Sequence, residues 1–183
     1  MALLHTPGYD AALIAPDFTL KNIDEKDLSF ADIKGDKGTI IAFICNHCPY
    51  VKAIIDRFVT DAKTLQDIGI GVAAIMPNDT DNYPDDSFDN MQKFAKQHGF
   101  TFPYLIDETQ ETAKAYGAIC TPDMFGFNAD NRLQYRGRLD SAGPNPADAS
   151  TRKDLLEAMQ RIADIGAGPH QQFPSMGCSI KWK

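Results

Sequence analysis

The spacing of apolar positions changes along the first half of the chain. Residues 39–44 are apolar on both faces and rich in β-branched side chains, which is typical of a central strand covered on both sides. From Pro49 to Gly69 the apolar positions recur every three or four residues, which predicts an amphipathic helix. Residues 70–76 form another apolar run and predict a second buried strand. This region is therefore predicted to be a strand–helix–strand unit.

Weaker patterns surround this unit with further strands and helices. Residues 17–30 predict an N-terminal β-hairpin, residues 124–127 and 133–138 predict a second hairpin, and residues 102–106 predict a short edge strand. Helices are predicted to end at Gly99, to cover residues 108–116 and to run from about 151 to 165. This order predicts an α/β protein with a mixed β-sheet flanked by helices and a C-terminal extension.

Composition and charge narrow the classes of partner. The chain has 183 residues and a formal net charge of -7, so it lacks the excess of Lys and Arg on which nucleic-acid binding relies. Its apolar runs are far shorter than the roughly 20 residues that cross a bilayer, and the N-terminal residues lack a secretory pattern. We therefore expect a cytoplasmic protein that binds neither nucleic acid nor membranes. No repeat or Gly/Ser linker divides the sequence, which predicts one domain over residues 1–183.

Two cysteines stand at CxxC spacing between the first predicted strand and the helix that follows it. A thiolate at a helix start is stabilised by free N–H groups and by the helix dipole, so we expect a lowered pKa for Cys45. Cys48 is expected one helical turn onward, where it can attack a mixed disulfide made by Cys45. The motif therefore predicts thiol–disulfide exchange without a cofactor, with Cys45 as the nucleophile and Cys48 as the resolving cysteine.

The neighbours of these cysteines are expected to support the site. Asn46, His47 and Pro49 are not typical core residues, and a donor or positive charge on His47 would favour the thiolate and make the couple more oxidising. The alternative is that His47 is merely exposed at a helix start. A zinc site is a further interpretation of the CxxC spacing, but Cys120 and Cys178 do not form the second pair that such a site requires, so no metal is expected.

A second motif, Cys120-Thr121-Pro122, precedes the predicted second hairpin. The chain resembles the redoxin branch of the thioredoxin superfamily. The resemblance rests on the CxxC after a buried strand, on this Thr-Pro pair, and on Ala-Pro-Asp-Phe-Thr-Leu at residues 15–20. That branch contains alkyl-hydroperoxide-reductase and thiol-specific-antioxidant domains, including peroxiredoxin-like proteins. The resemblance covers about residues 15–139 and implies a thioredoxin-like fold.

The resemblance also implies the arrangement of the second motif. Pro122 is expected to be cis and to face the cysteines, and the backbone around Thr121 is expected to pair with an extended substrate segment. Cys120 would then lie close to the redox pair. The chain departs from thioredoxins because residues 39–44 contain no acidic residue that could deprotonate Cys48. It departs from peroxiredoxins because Cys45 occupies the place of their Thr, and because their active-site Arg has no clear match.

Three functions remain open on these residues. Thiol–disulfide exchange fits them best, with a disulfide-bearing protein or a small thiol as substrate and an unidentified thiol reductant. The second is a peroxidase, in which a peroxide would convert Cys48 to a sulfenic acid that Cys45 resolves. The third is a non-enzymatic module that holds partner peptides at the Thr121-Pro122 edge.

Two segments complete the sequence-based picture. The tail of residues 166–183 carries Met176, Cys178, Ile180 and Trp182, which gain free energy by burial, so we expect it to pack on the domain. Within it, Cys178 is a candidate additional redox cysteine, as is Cys120, and the alternative for Cys178 is an apolar anchor. The acidic residues between 79 and 89 are irregularly spaced, and we interpret them as a solvated loop.

Overall fold

Strands and helices alternate through residues 3–183, the part of the chain that the computed structural model describes. The strands are β1 (Leu3–His5), β2 (Thr19–Asn22), β3 (Asp27–Ser29), β4 (Gly38–Phe43), β5 (Ile70–Met76), β6 (Tyr104–Ile106), β7 (Cys120–Thr121), β8 (Asp123–Asn128), β9 (Leu133–Gly137) and β10 (Met176–Ser179). The α-helices are α1 (Phe30–Ile33), α2 (Pro49–Gln66), α3 (Phe88–His98), α4 (Glu111–Tyr116) and α5 (Asp154–Ile165). No helix in these residues has the length and apolar character needed to span a membrane.

The main sheet is mixed, and β4 lies in its interior, with a neighbouring strand on each side. β4 pairs antiparallel with β8, which pairs antiparallel with β9. On the other side of β4 lies β5, and the N–H of Ile44 donates to the carbonyl of Ile75 at 3.0 Å. β5 pairs parallel with β6, which continues antiparallel to β2 and β3. The predicted fold class, a mixed sheet flanked by helices, is confirmed.

Helices cover both faces of this sheet, which explains why residues 40–43 of β4 are all apolar. Ile40 of β4 packs with Phe58 of α2 in the cluster that also holds α3 and α5. The next residue, Ile41, points to the opposite face and packs with Ile33 of α1 and Tyr116 of α4. Successive strand residues point to opposite faces, so a strand buried on both sides needs apolar residues at every position.

The ends of several elements follow from local chemistry. Ser29 stops the first hairpin and starts α1, because its Oγ accepts the N–H of Asp32 while the Asp32 carboxylate accepts the N–H of Ser29. Gly99 ends α3 in the left-handed region at φ 64°. The tail contains one element that the apolar pattern did not predict, strand β10. β10 pairs antiparallel with β1 on one side and with β7 on the other.

Candidate functional site

The CxxC motif occupies the turn between β4 and α2, at the carboxyl end of the central strand. Cys48 is the N-cap residue of α2, and Pro49 is the first helical residue. Proline suits that position because its φ is already helical and it has no N–H to satisfy, while it disfavours the helical region for the residue before it. Cys45 lies just before the helix, within the expected placement at or just before its start, whereas Cys48 lies at the helix start rather than one turn into the helix.

The second motif faces these cysteines, and its peptide bond between Thr121 and Pro122 is cis. The Cys45 Sγ lies 3.3 Å from the Oγ1 of Thr121, and the Cys48 thiol donates to the Thr121 carbonyl at 3.2 Å. Both cysteines are buried, with at most 1 % of either exposed. The fold thus brings together the two motifs that lie more than seventy residues apart in sequence.

The tail adds a third sulfur to this cluster. In the pairing of β10 with β7, Cys178 stands opposite Thr121, and its Sγ lies 3.2 Å from the Sγ of Cys48. The edge beside Thr121 was expected to be open for an extended substrate, as the peptide-binding module also required. The structure corrects this expectation, because β10 of the chain itself occupies that edge.

The sequence led us to expect a lowered pKa for Cys45. In the structure, the pKa of Cys48 is lowered instead, and that of Cys45 is raised. The pKa of Cys45 is raised well above its ordinary value by its hydrogen bond to Cys48, by burial and by the negative charge of Asp86. The pKa of Cys48 is lowered to about 5, first by the hydrogen bond from Cys45, and burial opposes this shift. Further hydrogen bonds from Cys178 and from the N–H of Val51 also lower it. Of the two motif cysteines, Cys48 therefore loses its proton first, and its hydrogen bond to the Thr121 carbonyl is made only while it is protonated.

A buried carboxylate from the acidic segment holds the motif in place. Asp86 is fully buried, and its Oδ1 accepts the N–H groups of Asn46 at 2.8 Å and His47 at 3.3 Å. Its Oδ2 lies 2.7 Å from the Nδ1 of His47 and accepts the Asn78 amide at 2.8 Å. The interpretation of residues 79–89 as a solvated loop is therefore wrong for Asp86. The strand before the motif carries no buried acid. Asp86, from the segment that follows β5, supplies one instead.

Asn46 and His47 are fixed by further contacts. The Asn46 Oδ1 accepts the hydroxyl of Tyr104 at 3.0 Å, and the His47 ring stacks on Tyr83 with 6.0 Å between ring centroids. His47 is thus paired with Asp86 rather than merely exposed at the helix start. Both side chains between the cysteines are oriented by residues distant in sequence.

One group of side chains has the chemistry of a metal site. Ligand-type atoms of Cys45, His47 and Asp86 all lie within 4.8 Å of one another. The Asp86 oxygens, however, are already engaged by the N–H groups, the amide and the imidazole described above. The buried Asp86 carboxylate is therefore satisfied by these contacts, and the Cys45 sulfur is engaged by Thr121.

The remaining candidate cysteine, Cys120, is near enough to the sulfur cluster for charges on Cys48 and Cys178 to contribute to its raised pKa. Cys120 is fully buried, and its thiol is 3.7 Å from the carbonyl of Pro122. Burial and the charge of Asp123 raise its pKa. Cys120 therefore stays a protonated core thiol at neutral pH, and its thiol is hydrogen-bonded to Pro122 rather than to Cys48.

The chain belongs to the AhpC/TSA family, whose model matches residues 12–136. Its fold is thioredoxin-like, since it superposes on the thioredoxin domain of a thiol-disulfide oxidoreductase from Bacteroides vulgatus with a TM-score of 0.58 at 12% identity, covering 70% of this chain and 88% of that one. It is also similar to the crystal structure of an uncharacterized conserved protein from Geobacillus kaustophilus, with a TM-score of 0.94 and 42% identity over 100% of this chain and 97% of that one. The resemblance to the redoxin branch is confirmed.

Two curated relatives carry names that describe chemistry. The chain is 26% identical to the thiol-disulfide oxidoreductase ResA of Bacillus thuringiensis over 126 residues, which are 65% of this chain and 64% of that protein. The chain thus spans less than two thirds of the length of that relative. It is 27% identical to a Mycobacterium tuberculosis protein named as a peroxiredoxin over 138 residues, which are 75% of this chain and 80% of that protein.

Proposed function

We propose that this protein is a thiol–disulfide oxidoreductase in which Cys48 is the attacking thiolate and Cys45 is its exchange partner. The observation that carries the proposal is geometric: the sulfurs of both cysteines contact Thr121 beside its cis bond to Pro122, and Cys48 is the N-cap residue of α2. The lowered pKa of Cys48 and the raised pKa of Cys45 support the assignment. The assignment of attacker and resolver reverses the order expected from the sequence. The reason is that the Cys48 sulfur accepts a hydrogen bond from Cys45 and further ones from Cys178 and the N–H of Val51, at the N-cap position that Pro49 favours.

The reaction requires only the two thiols and a substrate disulfide. The Cys48 thiolate attacks one sulfur of the substrate R–S–S–R′, forming a Cys48–SR mixed disulfide and releasing R′S⁻, which takes a proton from water. Cys45 then attacks the Cys48 sulfur, forming the Cys45–Cys48 disulfide, while its proton leaves with the second product, RSH. Two electrons pass from the protein to the substrate, and a thiol reductant restores the dithiol.

The structure favours a small disulfide over an extended polypeptide as the substrate. β10 pairs with the backbone of Thr121, so a polypeptide would have to displace β10 before it could form the same hydrogen bonds. A cavity of about 260 Å³ lies beside Pro122 and is lined by Tyr50, Ile54, Leu139 and Met176 among others. The cavity offers an apolar surface to the part of a small substrate that does not react.

Disulfide mapping on single variants tests this proposal. Wild-type protein treated with oxidised glutathione should form the Cys45–Cys48 disulfide, and Cys45→Ser should react at Cys48 first. Cys120→Ser is the matched control, because it removes a buried thiol whose hydrogen bond goes to the carbonyl of Pro122 rather than to Cys48. Lack of reaction between wild-type protein and small disulfides would contradict the proposed function.

Peroxide reduction is a second candidate, favoured by the low pKa of Cys48 and by the relative named as a peroxiredoxin. In that case Cys48 would carry the sulfenic acid, and a neighbouring thiol would condense with it to release water. Rapid, saturable consumption of hydrogen peroxide that Cys48→Ser abolishes would support it.

The expected cytoplasmic location stays a prediction that cell fractionation can test.

A further inference from the structure

The sulfur of Cys48 has two thiol neighbours, Cys45 from its own motif and Cys178 from the tail. We propose that Cys178 is a second exchange partner of Cys48, so that the chain works as a relay of three thiols rather than as a CxxC pair alone. This inference rests on the proposed function, because it assumes that Cys48 forms mixed disulfides. It adds a catalytic residue that lies beyond residues 12–136, the part that the family model matches.

Strand pairing places Cys178 where an attacking sulfur is needed. Cys178 lies opposite Thr121 in the register of β10 with β7, and Thr121 contacts the sulfurs of both Cys45 and Cys48. The distance of 3.2 Å between the Sγ atoms of Cys48 and Cys178 is about 1.2 Å longer than the roughly 2.05 Å of a disulfide bond. Bond formation therefore requires only a small movement of two side chains.

The residues after Cys178 hold the tail in this register. The N–H of Ile180 donates to the carbonyl of Ile119 at 3.1 Å. The N–H of Lys181 donates to the Oδ1 of Asn78 at 2.9 Å, and the amide of that same Asn78 donates to Asp86. One side chain thus joins the tail to the carboxylate that orients the CxxC motif. The position of Cys178 is therefore part of the same hydrogen-bonded assembly as the motif.

The protonation states make Cys48, rather than Cys178, the first sulfur to attack a substrate. Burial raises the pKa of Cys178 to about 12, with a further contribution from its hydrogen bond to Cys48, so it holds its proton while Cys48 is the thiolate. In a Cys48–SR mixed disulfide, the Cys178 sulfur attacks the Cys48 sulfur. The Cys48–Cys178 bond forms, the bond to SR breaks with its electron pair, and the proton of Cys178 leaves in RSH. Starting from a Cys45–Cys48 disulfide, the same attack returns Cys45 to its thiol form.

Glutathionylation of variants that lack Cys45 tests this relay. The variants Cys45→Ser, Cys45→Ser/Cys178→Ser and the control Cys45→Ser/Cys120→Ser are treated with oxidised glutathione and followed by mass spectrometry. Cys45→Ser and the control should release the bound glutathione and form a Cys48–Cys178 disulfide. The variant without Cys178 should retain one glutathione at Cys48 and release it at least tenfold more slowly. Equal retention in all three, with Cys178 free, would overturn the inference.

A backbone variant tests the register without removing any sulfur. A Cβ on Gly177 would lie 2.1 Å from the carbonyl oxygen of Thr121, so Gly177→Ala forces β10 away from β7. In the Cys45→Ser background it should slow glutathione release at least tenfold. Gly8→Ala, where a Cβ meets no atom within 4 Å, is the control. Unchanged release in the Gly177 variant would count against the relay.

Failure of the relay is distinguishable from failure of the proposed function. If wild-type protein forms the Cys45–Cys48 disulfide while Cys45→Ser retains glutathione, the proposed function stands and the role of Cys178 is overturned. If wild-type protein does not react with oxidised glutathione at any cysteine, both are overturned.

Discussion

Replacing the buried carboxylate of Asp86 by an amide should loosen the CxxC motif and destabilise the fold. In Asp86→Asn, the side-chain oxygen can still accept the N–H groups of Asn46 and His47, because both bind Oδ1 in the wild type. The new NH₂ group takes the place of Oδ2, which accepts the amide of Asn78 at 2.8 Å and lies 2.7 Å from the Nδ1 of His47. Two donors then face each other in a buried site.

The magnitude follows from these contacts. Leaving the buried Asn78 donor unpaired costs about 1–3 kcal/mol, and weakening two hydrogen bonds from charge-assisted to neutral adds about 1 kcal/mol, which gives about 2–4 kcal/mol in total. For a chain of this length, that loss corresponds to a fall in Tm of about 4–16 °C. The charge of Asp86 also raises the pKa of Cys45, so its removal should lower that pKa.

Two measurements check this prediction. Urea unfolding gives the loss of stability, and the pH dependence of iodoacetamide labelling, resolved by peptide mapping, gives the shift of the Cys45 midpoint. Asp85→Asn is the matched control, because that neighbouring side chain is exposed and should change stability by less than about 0.5 kcal/mol. If Asp86→Asn were as stable as this control with an unchanged Cys45 midpoint, the role assigned to the carboxylate would be refuted.

Three further predictions concern the same site. The rate of Cys48 labelling should have a midpoint near pH 5. It should reach a plateau above that pH, because the thiolate reacts, and fall below it as the sulfur is protonated. A midpoint near pH 8–9, as for an ordinary thiol, would contradict this prediction. Thr121→Val should raise the pKa of Cys45 further, since the hydroxyl of Thr121 lowers it, and a downward shift in the labelling midpoint would argue against that contact. Tyr104→Phe should cost about 1 kcal/mol in urea unfolding, because it removes the buried hydrogen bond to Asn46, whereas no loss would show that the bond contributes nothing.

The local pattern of the sequence determined the framework of the site. The apolar run of β4, the change to a helical period at Pro49 and the CxxC between them placed the motif at the carboxyl end of a central strand, and the observed elements agree. Residues 124–138 likewise gave the second hairpin, now seen as β8 and β9. These features depend on side-chain spacing within a single element, which sequence periodicity records directly.

The sequence predicts the position of the buried acid only in part. The resemblance to thioredoxins leads one to look for a buried acid within residues 39–44, and no acidic residue exists there. The acid that contacts Asn46 is Asp86, which lies 40 positions later in the chain. The available signal was topological: β5 lies beside β4, so the segment that follows β5 is brought near the segment that follows β4. The irregular spacing of the acidic run nevertheless does not distinguish the buried Asp86 from its exposed neighbour Asp85.

The tertiary structure alone decided the order of the thiols and the role of the tail. The apolar residues of the tail favour burial, but they do not specify that β10 pairs with β7 or that Cys178 stands opposite Thr121. Strand pairing between distant segments is set by the backbone hydrogen bonds and the space that the rest of the fold leaves open. The pKa of each cysteine in turn depends on which donors, charges and buried surfaces surround its sulfur, and these neighbours come together only when the chain folds.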